Sequence, residues 1–468
     1  MARIKIYCMT IFMAVFFFWS RSAFSATNNE ELIRRLDGLS AIIQQQQQEI
    51  NKLKQEIQDQ KKFNHEVQKK QSEEIQKAVK AENRELEKQF SDLIPKWTEG
   101  IKLSGDLRLR YEKLFNRDAF RKHGSRTSTP GRDRYRVRAR LFVDGKISDE
   151  LSAHFMICTN QDKNHEATTT NQSFSDDFND KGIFLHRAYG TYKPKWLSGL
   201  EITAGKFKNT FLHTDIMWDP DVNPEGIYER YQYQGLENFK PFIHLGQMEV
   251  NEENYQTDDA ALYISQLGFD WKFGPFTWTL AGSYYDWANL DNTEYLHNAE
   301  YKRGGGNTFV LRDPADPDGD FDYAYDYNLW EAITFLKFKL GPVPTKLIFD
   351  YIRNTDSDVP NKQDTALFAG FKLGKEKKRG DWSLFYKYAR IEKDAVIGSM
   401  NDQDFYGANR KGHKVMFRYM LLDRLRFGTA FFYTDPIKDW DVNSCTFKKN
   451  DQYRGHEERL QTEFVFKF

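Results

Sequence analysis

The chain has 468 residues, and its 68 Lys and Arg balance 68 Asp and Glu, so net charge implies no nucleic-acid partner. Mean hydropathy is low, at −0.74, yet aromatic residues reach 15%, with 38 Phe and 24 Tyr. That pairing is unusual for a soluble enzyme and expected for strands with one face in water and one in lipid. Beyond the N-terminus no stretch is apolar over the roughly 18 residues a spanning helix needs, which excludes a helical membrane protein.

In chain order, Arg3 and Lys5 precede an apolar run from Ile11 to Trp19 and small residues around Ser25 and Ala26. Residues 1–25 therefore read as a cleaved export signal. Cys8 falls inside it without lipobox-like neighbours, leaving Cys158 and Cys445 in the mature chain, one in a strand and one in a distant loop, and no disulfide is expected between them.

Residues 28–94 lack Gly after Gly38 and lack Pro altogether. Leu32, Leu36, Leu39, Ile43, Gln46, Ile50, Leu53, Ile57, Gln60, Asn64 and Val67 form a heptad seam. After Gln71 the phase slips by four, and Ile75, Val79, Leu86 and Phe90 carry it on, a stutter that locally unwinds a supercoil. Core Gln and Asn weaken the seam and help fix its register, so this segment is expected to be an oligomeric coiled coil. At about 1.5 Å per residue it makes a rod roughly 100 Å long.

Pro95 ends the helical pattern, and residues 97–468 read as strands. Ile101, Leu103, Leu107, Leu109 and Tyr111 alternate with Lys102, Ser104, Asp106, Arg108 and Arg110; next, Arg134, Arg136, Arg138 and Arg140 interleave with Tyr135, Val137, Ala139 and Leu141. Further strands are expected at 152–160, 184–193, 200–209, 226–236, 241–251, 262–273, 276–287, 327–340, 345–355, 365–374, 381–393, 412–422, 424–434 and 458–468. The last alternates to the end, with Leu460, Thr462, Phe464, Phe466 and Phe468 on one face, Gln461, Glu463 and Lys467 on the other, and Val465 as the one lapse. About sixteen strands, an even number, suit an antiparallel transmembrane barrel, an all-β fold preceded here by the α-helical segment. Short turns near 148–150, 194–199, 274–275, 341–344 and 422–424 alternate with long polar loops at 112–131, 160–182, 210–225, 288–326, 394–411 and 435–457. That rhythm places both barrel ends, and the coiled coil, on the short-turn, periplasmic side. The polar strand faces are expected to keep the interior free of an apolar plug.

The terminal Phe468 resembles the signal that bacterial outer-membrane barrels present to their assembly machinery. The stretch Trp218-Asp-Pro-Asp-Val-Asn-Pro-Glu-Gly226, following Gly205-Lys-Phe-Lys208, is similar to a loop of bacterial outer-membrane porins of the "putative porin" type, which carry a periplasmic coiled coil ahead of the barrel. The resemblance implies a homotrimer in outer-membrane lipid. It also implies that 210–225, the third long loop, folds into the lumen with Asp215, Asp219, Asp221 and Glu225.

A barrel of about sixteen strands leaves a water-filled lumen, where charged rings set selectivity. Arg108, Arg110, Arg134, Arg136, Arg138 and Arg140 share one face of two adjacent strands and would form a basic wall. Lipid cannot be on that side, because each arginine there would cost about 2–4 kcal/mol at mid-depth. Facing acids on the loop would set a transverse field; otherwise the arginines satisfy neighbouring carboxylates and the loop acids are simply solvated. The expected function is passive diffusion of small hydrophilic solutes or ions with an anion bias. The rival reading is a structural anchor whose coiled coil tethers the membrane to peptidoglycan, although no wall-binding domain is apparent.

Asp316, Asp318, Asp320 and Asp322 alternate around a Gly like the start of a calcium loop, without its distal Glu; a solvated acidic loop is the simpler reading. His154, His186, His213 and His244 show no metal-ligand spacing, and no Ser–His–acid set can be assembled. No cofactor and no enzymatic activity are expected.

Overall fold

The computed structural model describes residues 29–93, 100–115, 117–120, 126–129, 131–160, 167–174, 177–252, 259–290, 304–311, 321–405, 407–438 and 453–468. The expected signal segment 1–25, Cys8, Pro95, Trp97 and Cys445 lie outside them. Two compact units divide between Lys96 and Trp97.

The first unit is a single helix, α1 (Asn29–Leu93), of 65 residues. Strong helix formers (Gln, Glu, Lys, Leu) and the absence of Pro carry it. Its seam residues Leu53, Ile57, Val67, Ile75 and Val79 are 37–63% exposed, so the apolar stripe is bare on one chain. No helix among the described residues is long and apolar enough to cross a membrane.

The second unit is a closed barrel of sixteen antiparallel wall strands. They are β1 (Ile101–Leu114), β2 (Arg132–Lys146), β3 (Leu151–Thr159), β4 (Ile183–Tyr192), β5 (Leu200–Lys206), β6 (Glu225–Gln232), β7 (Phe239–Asn251) and β8 (Ala260–Phe273). The circuit continues through β9 (Phe276–Ala288), β10 (Tyr327–Leu340), β11 (Val343–Asn354), β12 (Thr365–Gly374), β13 (Trp382–Ile391), β14 (Arg410–Leu422), β15 (Leu425–Pro436) and β16 (Glu457–Lys467). Each strand pairs with its chain neighbour, and β1 also pairs with β16, so no edge is left open. A two-residue segment, Gln172–Ser173, adds a short pairing to β2 at Arg136 and Val137.

The period of two decides what faces where. On β8, Leu262, Ile264 and Gln266 are 0–3% exposed inside, whereas Tyr263, Leu267 and Trp271 are 41–61% exposed outside. Outward aromatics cluster toward both rims, Phe269–Trp278 near the turns and Tyr284–Trp330 nearer the loops, with ring centroids 5.3 and 5.1 Å apart. The C-terminal strand follows the expected faces: Phe464, Phe466 and Phe468 point out, while Val465 is buried inside, opposite Arg426. Phe468 closes the seam through reciprocal backbone bonds of 3.1 Å with Gly105. Gly105 leaves room for the ring, since a Cβ there would meet Phe468 Cζ at 2.4 Å.

One expectation fails on the loop side of the interior. There the inner faces of β8–β12 are apolar, with Leu262, Ile264, Tyr285, Leu329, Ile352 and Phe368 at most 3% exposed. Two connections, 207–224 and 392–409, fold inward and pack Ile216, Met217, Trp218, Val396, Ile397 and Phe405 against them. Burying each such side chain contributes about 1.5–3 kcal/mol as an upper estimate, which offsets the entropy of ordering the loops.

Candidate pore constriction

The six arginines sit where the alternation of β1 and β2 sets them, facing inward. Register places Arg108 opposite Arg138 and Arg110 opposite Arg136. Like charges in direct opposition are destabilising on their own. The same register brackets them with acids, Asp106 opposite Arg140 and Glu112 opposite Arg134, while β16 brings Glu463 opposite Arg110.

These acids are engaged at close range. Asp106 accepts from Arg138 Nη2 through Oδ1 at 2.8 Å and from Arg140 Nη2 through Oδ2 at 2.6 Å. Arg134 Nε donates to Glu112 at 2.6 Å. Arg110 Nη2 donates to Glu463 at 2.8 Å, and Arg108 Nη1 lies 3.6 Å from the same carboxylate. Arg136 differs: it donates to Asn171 O at 3.2 Å and Thr169 Oγ1 at 3.4 Å, and among the described residues no carboxylate lies within ion-pair distance. The arginines thus form a cluster largely neutralised by carboxylates, one of the two arrangements left open by the sequence.

The connection 207–224 is the expected inward loop, and its motif explains the path. Gly205 and Gly226 face each other across β5 and β6 at φ +119° and +142°, and a Cβ on Gly226 would lie 2.1 Å from Gln247 O. Only glycine suits these roots. Trp218 stacks on Trp287 with centroids 5.8 Å apart. Asp219 Oδ1 accepts from the Asp221 amide at 2.8 Å, and Asn223 Nδ2 donates to His186 at 2.7 Å. Leu212 exchanges bonds of 2.9 and 2.8 Å with the Gln266 side chain, and Thr214 Oγ1 donates to Asp350 at 2.6 Å.

The four acids expected on the loop have four different surroundings. Asp221 reaches the cluster, 3.8 Å from Arg140, and accepts from Thr170; burial pushes its carboxyl up, but Arg138, Arg108 and Arg140 hold it below the usual range. Asp219 is buried beside Asp221 and Asp402, and burial followed by those charges raises it well above a normal carboxyl. Among the described residues Asp215 meets no arginine and instead takes Lys387 at 2.7 Å and Lys414 at 3.6 Å. Glu225 is not in the loop: it opens β6 on the outer face, paired with Lys206.

A second inward loop, which the sequence pattern does not mark as a site element, brings Asp402 and Asp404 to the site. Asp402 bonds Lys414 at 2.9 Å and Lys387 at 3.2 Å; burial raises its carboxyl, but the two lysines outweigh this and bring it to about 2. Asp404 contacts Arg110 at 3.5 Å and pairs with Arg459; burial again opposes, and Arg459 and Arg110 hold it well below the usual range. Backbone bonds of 2.8 Å (Asp219 N to Met400 O) and 3.0 Å (Asp402 N to Asp215 O) join the two loops. The signals in the chain are the apolar run Ala395-Val-Ile397 and the isolated Met400 and Phe405 within this loop.

Of the calcium-like segment, Asp316, Asp318 and Asp320 lie outside the described residues. Asp322 sits in the short pair Phe309–Leu311 with Phe321–Tyr323. Cys158 is buried on β3.

A closed, even-stranded barrel with a lipid-type exterior, charged inner walls and loops folded into it has the architecture of an outer-membrane channel protein. The family model described as "Putative porin" matches residues 40–129, 116–308 and 323–448, and the chain belongs to that family. No curated relative matches it. Among solved structures it is similar to OprB of Pseudomonas putida (11% identity, TM-score 0.49, 79% of this chain and 94% of that one). It is also similar to OmpF of Salmonella typhi (11%, 0.44, 80% and 100%) and to a trimer form of OmpT of Vibrio cholerae (11%, 0.42, 79% and 99%).

Proposed function

We propose that this outer-membrane porin passes small hydrophilic solutes by passive diffusion with a bias toward anions, and that it works as a homotrimer. The observation that carries the bias is the inner wall, whose strand positions hold more Arg and Lys than Asp and Glu. The two inward loops pack their apolar side chains mainly against β6–β13 and turn acids toward β1, β2 and β16, the charged side along which the solute path is placed by this reading. Within the arginine–carboxylate cluster the least covered charged groups are Arg140, 21% exposed, and Asp404, 31% exposed.

The bare seam of α1 supports a coiled coil between protomers on the periplasmic side, where a contact with peptidoglycan would add a tethering role. Phe468, fixed at the barrel seam, is the candidate handle for the barrel-assembly machinery. Planar-bilayer recordings test the channel reading: stepwise conductance and an anion-selective reversal potential in a KCl gradient are expected. A folded, heat-modifiable protein that stays silent removes the channel and favours the tether.

A further inference from the structure

A second basic region lies inside the barrel, on the opposite rim from the inward loops. On β10, β11 and β12 inward positions close to the turns bring Lys337 opposite Lys346, and Lys346 opposite Lys372. Directly opposed side chains stand about 4.5–5.5 Å apart at Cβ, so three ammonium groups share one row. Unlike the arginines, this row has almost no acid. Lys372 reaches Glu376 at 3.1 Å, but Glu376 also serves Arg426 at 3.2 Å and Arg418 at 3.7 Å. Among the described residues no carboxylate lies within ion-pair distance of Lys337 or Lys346. Lys346 instead rests over the Phe335 ring, 3.5 Å from its centroid, a contact that steers the ammonium and leaves its charge uncancelled. Lys337 is exposed and Lys372 is 38% exposed, so water and solutes reach the row.

Such a row breaks the pairing rule for facing strands, and its inward position rules out lipid phosphate from the surrounding membrane as a partner. We propose that Lys337, Lys346 and Lys372 bind a small multivalent oxyanion, of the phosphate or sulfate class, in the turn-side vestibule of the lumen. One doubly charged oxyanion offers each ammonium a charge-assisted hydrogen bond and relieves their mutual repulsion. The arginine cluster, already holding its own carboxylates, has much less to gain from such a ligand.

This site rests on the channel reading, and two measurements separate their failures. Inorganic phosphate is titrated calorimetrically into the detergent-folded full chain, and phosphate is added from each side during KCl recordings. Phosphate is expected to bind, and to reduce conductance more strongly from the turn side. Lys337→Gln with Lys346→Gln should weaken that affinity at least about tenfold. Glu376→Gln, which frees Lys372, should strengthen it, giving a second readout of opposite sign. Phosphate binding by a silent protein keeps the site and removes the channel. A conducting protein that binds no phosphate, or equal affinity in the wild type and both variants, overturns the site.

Discussion

The two basic regions inside this barrel are built from the same element, cations in direct opposition on neighbouring strands, yet they are opposite in electrostatic state. Around Arg108, Arg110, Arg138 and Arg140, the carboxylates of Asp106, Glu463, Asp404 and Asp221 arrive from two strands and two loops. Around Lys337 and Lys346 no carboxylate of the described residues arrives. Positive residues on a pore wall therefore do not by themselves make a positive pore. Buried and paired, arginines act as a strut between wall and loops; uncovered and unpaired, lysines remain available to a passing anion.

Breaking the strut should have the largest effect. Asp106→Asn leaves Arg138 and Arg140 without their shared acceptor and is expected to cost about 3–5 kcal/mol. Loss of the heat-resistant folded band on gels, or a lower urea midpoint, measures it. Charge reversal then separates the regions: Arg136→Glu with Arg138→Glu should impair folding, whereas Lys337→Glu with Lys346→Glu should leave the fold intact and move the reversal potential toward cations. A stable arginine double variant with a large selectivity shift would put the filter back at the arginine cluster.

The loop–wall lysines give a smaller, pH-dependent effect. Asp402 sits at about 2 in the fold, below an unfolded carboxyl near about 4. Its contribution is fully present above the unfolded value and is lost as pH falls toward 2. Conductance noise from loop movement should therefore rise on acidification below about pH 4, and stay flat from about pH 5 to 8 as far as this group is concerned. Asp402→Asn should bring that noise to neutral pH; a quiet variant would show that the apolar packing alone holds the loops. The smallest effect on conduction is expected from deleting residues 28–94, because the barrel closes its own hydrogen bonds. Conductance per pore should be unchanged while trimers dissociate at lower temperature, and a correctly inserted truncation that no longer conducts would refute this.

Much of the barrel is legible in the chain itself. Strand number, alternation and turn rhythm emerge from a period of two that lipid enforces: a one-residue slip would turn Arg134, Arg136, Arg138 and Arg140 into hydrocarbon. That penalty is local to each strand, so the sequence by itself determined which residues face inward. It also determined the helical segment, through a heptad phase that runs along one chain.

Only the tertiary structure decided what the inward residues meet. Asp106 and Arg140 belong to neighbouring strands and could be paired from register, but Glu463 reaches Arg110 across 353 positions through barrel closure. Asp404 and Asp221 arrive on loops whose direction depends on apolar residues burying against distant walls, as Trp218 does on Trp287. Leu262, Ile264 and Leu329 sit at nominally polar parity, and nothing near them in sequence announces the loops that cover them. Neutralised strut and open lysine row share one pattern along the chain; long-range contacts, made when the barrel closes and the loops fold in, separate them.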